Sequence, residues 1–143
     1  MIYFDTSALA KKYLKKEKGR SRTIELLETN PQDLVSSALT HLEVMSALTR
    51  RQKEIAGFEK AVEAFRDDWE TFIVWAIDGD VINDAAALVR KHRLKAADAI
   101  HLATALSVRT HTKERLVLVS SDLALLSAAK KEGLVIVDPE TAP

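Results

Sequence analysis

The sequence predicts an α/β fold, with a central parallel sheet of four to five strands and helices on both faces. Three observations predict it. Short apolar runs alternate with longer stretches of helical periodicity from Ile2 to Val137. The runs are apolar throughout, as strands buried on both faces are. Strands separated by helices imply right-handed crossovers, which return each strand parallel to the last.

Ile2–Phe4 is the first expected strand, and it ends abruptly at Asp5-Thr6-Ser7. A helix is expected from Thr6 to about Lys16, with Leu9, Tyr13 and Leu14 inward and lysines on the other side, stopped by Gly19. A second helix runs from about Ser21 to Thr29, with Ile24, Leu26 and Leu27 inward, and Asn30-Pro31 ends it. Leu34–Ser36 forms a short strand, and Ser37 can cap a helix over Ala38–Gln52 whose apolar stripe is Leu42, Met45 and Leu48. Gly57 marks a break before a helix that turns Ala61, Phe65 and Trp69 inward. Phe72–Ile77 is rich in β-formers and reads as the third strand. Asp78 or Asp80 caps a helix to His92, and a basic turn leads into Ala96–Arg109. Leu116–Val119 is a fourth strand, Leu123–Lys131 a helix closed by Gly133, and Leu134–Val137 the last strand. Residues 1–143 show no repeat, linker or low-complexity stretch and read as one domain.

Composition narrows the function classes. Apolar residues make up 47% of the chain, enough for a real core, and there is no cysteine, which removes disulfides and thiolate metal sites. No apolar run approaches the ~20 residues of a membrane span, and no basic-then-apolar leader is seen. A cytoplasmic location is expected. Formal net charge is +0, yet seven of the cations lie between Lys11 and Arg22 against one acid, Glu17. Segregation of this kind allows a cationic face on a neutral protein.

Four acids occupy special positions. Asp5 and Asp122 follow apolar strands; Glu43 and Asp98 lie near the starts of helices. In a parallel α/β sheet these places share one edge, where ligands bind. Gathered carboxylates repel, by roughly 4 kcal/mol per pair at 4 Å and an effective dielectric near 20, so either protons or a cation must accompany them. Hard divalent ions take oxygen ligands. With only His41, His92, His101 and His111 to help, zinc is a poor alternative. A Mg²⁺ or Mn²⁺ site, with one or two ions, points to phosphodiester hydrolysis. Ser7 and Ser120 can orient a carboxylate or cap a helix. His101, one turn beyond Asp98, is expected to pack or hydrogen-bond beside the site. Asp138 also follows an apolar strand, but Asp138-Pro139 is read as a turn.

The segments Tyr3-Phe4-Asp5-Thr6-Ser7-Ala8-Leu9, His41-Leu42-Glu43-Val44, Ala97-Asp98-Ala99-Ile100-His101-Leu102-Ala103-Thr104-Ala105 and Val119-Ser120-Ser121-Asp122 together resemble the PIN-domain ribonucleases. The likeness is greatest to the VapC toxins of toxin–antitoxin systems. It covers nearly the whole chain, in order; the first and third segments are specific, the others weak alone. The resemblance implies a Mg²⁺- or Mn²⁺-dependent endoribonuclease. It implies that Asp5, Glu43, Asp98 and Asp122 are the catalytic, metal-holding acids, with Ser7 and Ser120 in support. It also implies an RNA substrate, a homodimer, and a cognate antitoxin whose peptide lies along the active-site groove. Position 120 is Ser where the family often has Thr, and the hydroxyl survives.

Rival readings are a non-toxin ribonuclease of the same fold, a non-catalytic module binding RNA or a partner, a phosphotransfer domain, and a DNA-directed nuclease. An aspartate-nucleophile phosphatase wants a second Asp two residues after the first, where Ser7 stands; a receiver wants a Lys after the last strand, where Asp138-Pro139-Glu140 stands. The DNA-directed enzymes carry inserted arches, and this chain has no long insertion.

Overall fold

The computed structural model describes residues 1–141. Five parallel strands form one sheet: β1 (Ile2–Phe4), β2 (Leu34–Ser37), β3 (Ile73–Trp75), β4 (Val117–Val119) and β5 (Val135–Val137), in the spatial order β3-β2-β1-β4-β5. The helices are α1 (Thr6–Leu9), α2 (Arg20–Thr29), α3 (Ala38–Arg50), α4 (Phe58–Trp69), α5 (Gly79–His92), α6 (Ala96–Thr112) and α7 (Leu123–Lys131). From β1 the chain winds outward through β2 to β3. It then returns across the sheet to β4 and β5 on the other side. The winding direction therefore changes between β1 and β4, where Tyr3 pairs with Leu118 and Phe4 with Val119.

Strand periodicity distributes β1 between two cores. Tyr3 joins Val35, Leu118 and the inward residues of α5, α6 and α7, among them Leu88, Leu102 and Leu125. Ile2 and Phe4 face the other way, onto Leu9, Val44, Leu48, Phe65 and Phe72 of α1, α3, α4 and the start of the β3 run. Burial of each large side chain contributes roughly 1.5–3 kcal/mol.

Several elements depart from their sequence reading. The first helix stops at Leu9 and tightens into a 3₁₀ turn over Ala10–Tyr13, so it does not reach Lys16. Lys11 does not face solvent; it is 5% exposed, with its ammonium 3.1 Å from Glu140 and 3.9 Å from Glu17. In α2 the buried positions are Thr23 and Leu27, with Ile24 and Leu26 half-buried. In α3 they are Thr40, Val44 and Leu48, while Leu42 is 68% exposed. The stripe is rotated because Ser37 caps the helix through the Leu39 amide and aims Thr40 at Ser36. The third strand spans Ile73–Trp75 alone, and Ile73 and Val74 are exposed. It is a sheet edge, so one flank lacks a neighbour to cover it. Asp78, not Asp80, caps α5.

The tail beyond β5 returns to the α1–α2 connection. Gly19 has φ +83°, and a Cβ there would sit 2.7 Å from the Pro139 carbonyl oxygen. Substituting Gly19→Ala combines a left-handed backbone, worth about 1–2 kcal/mol, with that collision. The variant is expected to unfold at lower denaturant concentration with an unchanged slope; an unaltered midpoint would show that the tail does not pack on Gly19.

Candidate active site

Asp5 sits where β1 stops, at the change of winding. Its amide bonds the Val119 carbonyl of β4 at 3.1 Å, which ties the two strand ends together. Its side chain is 3% exposed but well supplied with donors. The Ala8 amide donates to Oδ1 at 3.0 Å, Ser120 Oγ to Oδ2 at 2.8 Å, and Ser7 Oγ lies 2.8 and 2.9 Å from the two oxygens. Asp5 thus caps α1 and also lies within the acidic group; the two readings of the residue hold together. Burial raises its pKa, and His101, the Ala8 amide and the two serine hydroxyls oppose the rise.

The serines act on Asp5 rather than as helix caps. Ser7 Oγ accepts from the Ser121 amide at 2.9 Å, and Ser120 Oγ accepts from the Asp122 amide at 3.0 Å. A continuous path therefore runs from Asp5 through Ser120 to the backbone of Asp122. Asp122 caps α7 through the Leu125 amide at 2.9 Å.

Glu43 reaches the site from the second turn of α3. Its Oε1 accepts from Thr6 Oγ1 and from His101 Nε2, each at 2.7 Å. Burial raises its pKa and those hydrogen bonds pull it down further, so the net shift is downward. Asp98 lies in the first turn of α6. Its pKa is raised to about 6, first by burial and then by the charges of Asp122 and Asp5, with a further push from Glu43. Four carboxylates from far-apart segments therefore share one field. Asp138 stays outside it: its Oδ1 accepts from the Glu140 amide and Ser121 Oγ, a turn geometry.

Among the described residues, no three of His, Cys, Asp or Glu stand close enough to form a ready-made metal cage. The donor set nonetheless fits a hard divalent ion. All four groups offer oxygen, the charges around Asp98 make its ionisation unfavourable without a cation, and Mg²⁺ commonly takes one or two protein carboxylates and keeps its waters. A cavity of about 730 Å³ opens elsewhere, between the α1–α2 connection and α4, lined by Lys12, Lys15, Lys16, Arg20 and Lys60 around Tyr13 and Ile55. None of the four acids lines it, so cavity size does not locate this site.

Sequence reasoning missed Thr6 and Tyr3 as members of the network and assigned His101 only to its neighbourhood. Tyr3 was legible in principle, because strand alternation puts it on the same side as Asp5.

The PIN domain family model matches residues 2–131. A protein named Ribonuclease VapC45 from Mycobacterium tuberculosis strain CDC 1551 is 36% identical over 114 residues, 76% of each chain, and Ribonuclease VapC49 from strain H37Rv matches equally. Among solved structures, M. tuberculosis VapC20, described as a sarcin-ricin loop cleaving toxin, superposes with TM-score 0.71 at 20% identity over 100% of both chains. A toxin–antitoxin complex from Klebsiella pneumoniae gives TM-score 0.68 at 23% identity, covering 97% of this chain and 98% of that one. A five-stranded parallel sheet with helices on both faces and a buried acid at the end of β1 is an α/β domain of the kind these comparisons match. The chain belongs to the PIN-domain family, in its VapC group.

The raised Asp98 pKa sets a sign for stability. An acid whose folded pKa lies above its ordinary value binds its proton more tightly when folded, so stability falls as pH rises from about 4 through about 6. In chelator, the melting temperature should drop across that window. Asp98→Asn should shrink the drop, leaving the part due to buried Asp5, and melt higher than the wild type at pH 7.5; equal pH profiles would show that its surroundings do not raise the Asp98 pKa.

Proposed function

We propose that this protein is a metal-dependent endoribonuclease and the toxin of a VapBC-type toxin–antitoxin pair, acting as a single catalytic domain. The observation that carries the reading is the hydrogen-bonded cluster that ties Asp5 through Ser120 to the Asp122 amide and Glu43 to Thr6 and His101, with Asp98 one turn before His101 on α6, in a chain 36% identical to proteins named ribonucleases. These four acids are the residues that would hold Mg²⁺ or Mn²⁺. When bound, such an ion neutralises charge on the scissile phosphate and lowers the pKa of an attacking water.

The chain's own residues prepare the site. Ser7 and Ser120 hold the Asp5 carboxylate against rotation, and the Ala8 amide favours its ionised form despite its burial. Thr6 and His101 hold Glu43 at one oxygen. The gathered negative charge repels a polyanion until a cation offsets it, so RNA must be held by basic groups outside the acids.

The segment from Lys11 to Arg22 supplies such groups, but not uniformly. Lys11 is buried in ion pairs and Lys12 is 2.7 Å from Asp68. Lys15, Lys16 and Lys18 are exposed, so they are the residues that meet phosphate. Partnership with an antitoxin and a second copy of the chain is proposed from the solved VapBC relatives. No helix among the described residues is long and apolar enough to cross a membrane, and we assign the activity to the cytoplasm.

Two outcomes test this reading. Purified protein with Mg²⁺ should cleave RNA, and brief expression should yield discrete new ends in total RNA. Asp5→Asn or Asp98→Asn should lower the rate by roughly two orders of magnitude or more, the scale of removing one preorganised electrostatic group. Wild-type ends from either variant would sink the site assignment. Reversing Lys15, Lys16 and Lys18 to Glu should weaken RNA binding and flatten its log–log salt dependence by roughly 0.7 for each phosphate no longer neutralised. An unchanged slope would place the RNA on another face.

A further inference from the structure

We propose that His101, held in turn by Tyr3, is a positioning residue that fixes the Glu43 carboxylate for metal binding. The inference rests on the reading of the four acids as a metal site and assigns new roles to two residues outside it.

The geometry is a buried three-member chain. Tyr3 Oη lies 2.7 Å from His101 Nδ1, and His101 Nε2 lies 2.7 Å from Glu43 Oε1. Tyr3 is 0% exposed and His101 2% exposed, so water does not compete for either bond. The protons can be placed by elimination. The Glu43 carboxylate only accepts, so Nε2 carries a hydrogen. A phenol buried beside Asp5 keeps its own proton, because burial and the Asp5 charge both oppose its loss. The intact hydroxyl ties the ring at Nδ1 as well. Both ring nitrogens are thereby engaged, so the plane of the ring is fixed and Nε2 is aimed at Glu43.

The consequence falls on Glu43. Its side chain has three rotatable bonds and is 30% exposed, so nothing in its own helix holds the carboxylate in one place. Both of its bonds, from Thr6 and from His101, end on Oε1. A carboxylate clamped at one oxygen presents the other, Oε2, in a fixed direction. His101 follows Asp98 by three residues on α6, and Tyr3 precedes Asp5 by two on β1. The chain Tyr3–His101–Glu43 thus locks the elements carrying three of the four acids into one register. A metal ligand held this way by a hydrogen-bonded neighbour typically loses 10–100-fold in metal affinity or activity when the neighbour is removed.

A merely structural role, in which a buried tyrosine and histidine satisfy each other, would alter stability and nothing else. The test therefore reads Mn²⁺ binding by calorimetry on purified protein alongside melting temperature, kcat and KM for RNA. His101→Met, which keeps apolar packing and removes the Nε2 donor, should weaken Mn²⁺ binding roughly tenfold or more. It should also lower kcat while leaving KM for RNA nearly unchanged. His101→Gln, whose amide nitrogen can donate from near the position of Nε2, should recover most of both. Tyr3→Phe, which removes only the hydroxyl that holds Nδ1, should show a smaller loss of the same kind. If His101→Met fails to fold, Tyr3→Phe decides the matter. Wild-type Mn²⁺ affinity and kcat in whichever of the two folds would overturn the proposal. Glu43→Gln distinguishes loss of the metal site from loss of the positioning role. If it binds Mn²⁺ as tightly as wild type, the metal site itself is wrong; if it loses binding while His101→Met and Tyr3→Phe do not, only the positioning role falls.

Discussion

The buried carboxylate of Asp5 is the constraint around which the surrounding structure is arranged. Charge this far from water is tolerated only when hydrogen-bond donors replace the lost solvation. Three donors do so: the Ala8 amide at the start of α1, the Ser7 hydroxyl, and the Ser120 hydroxyl from the end of β4. Each serine also holds a second element. Ser7 accepts from the Ser121 amide, and Ser120 accepts from the Asp122 amide. The bonds that make Asp5 tolerable therefore fix where α1, β4 and α7 meet, and with them the direction of Asp122.

The remaining acids are held with unequal compensation. Glu43 has two good donors and its pKa falls, whereas that of Asp98 rises to about 6 under the influence of burial and of its acidic neighbours. A core selected for stability alone would not retain that repulsion. Local violations of otherwise consistent packing are the mark of a functional site, and here the violation is confined to one sheet edge. A hydrophobic cluster lies on either side of the sheet.

Electrostatics elsewhere follow the same logic. The basic run after α1 reads as one cationic surface in the sequence, but its members have different fates. Lys11 turns inward to Glu140 and Glu17, so its charge helps to fasten the tail over Gly19. Lys12 meets Asp68 of α4, and Tyr13 donates to the same carboxylate at 2.6 Å. Only the later lysines remain in solvent. The run is thus partly a structural staple and partly a surface available to polyanions.

Much of this protein was determined by local pattern alone. The alternation of apolar runs with helical periodicity set the parallel α/β class, because strand and helix burial impose different periods. The positions of Asp5, Glu43, Asp98 and Asp122 relative to those runs pointed to one sheet edge, because parallel strands deliver their C-terminal ends to the same side. The tertiary structure decided what local pattern cannot carry. It set the strand order, and so made the Ile73–Trp75 strand an edge with Ile73 and Val74 exposed, while Phe72 stays in the core. It rotated α3 so that Leu42 faces solvent and Thr40 the interior. It buried Lys11 against a glutamate 129 residues away, and it brought Tyr3 and His101 together across 98 residues. Each of these depends on a partner remote along the chain, and no window of neighbouring residues contains that partner.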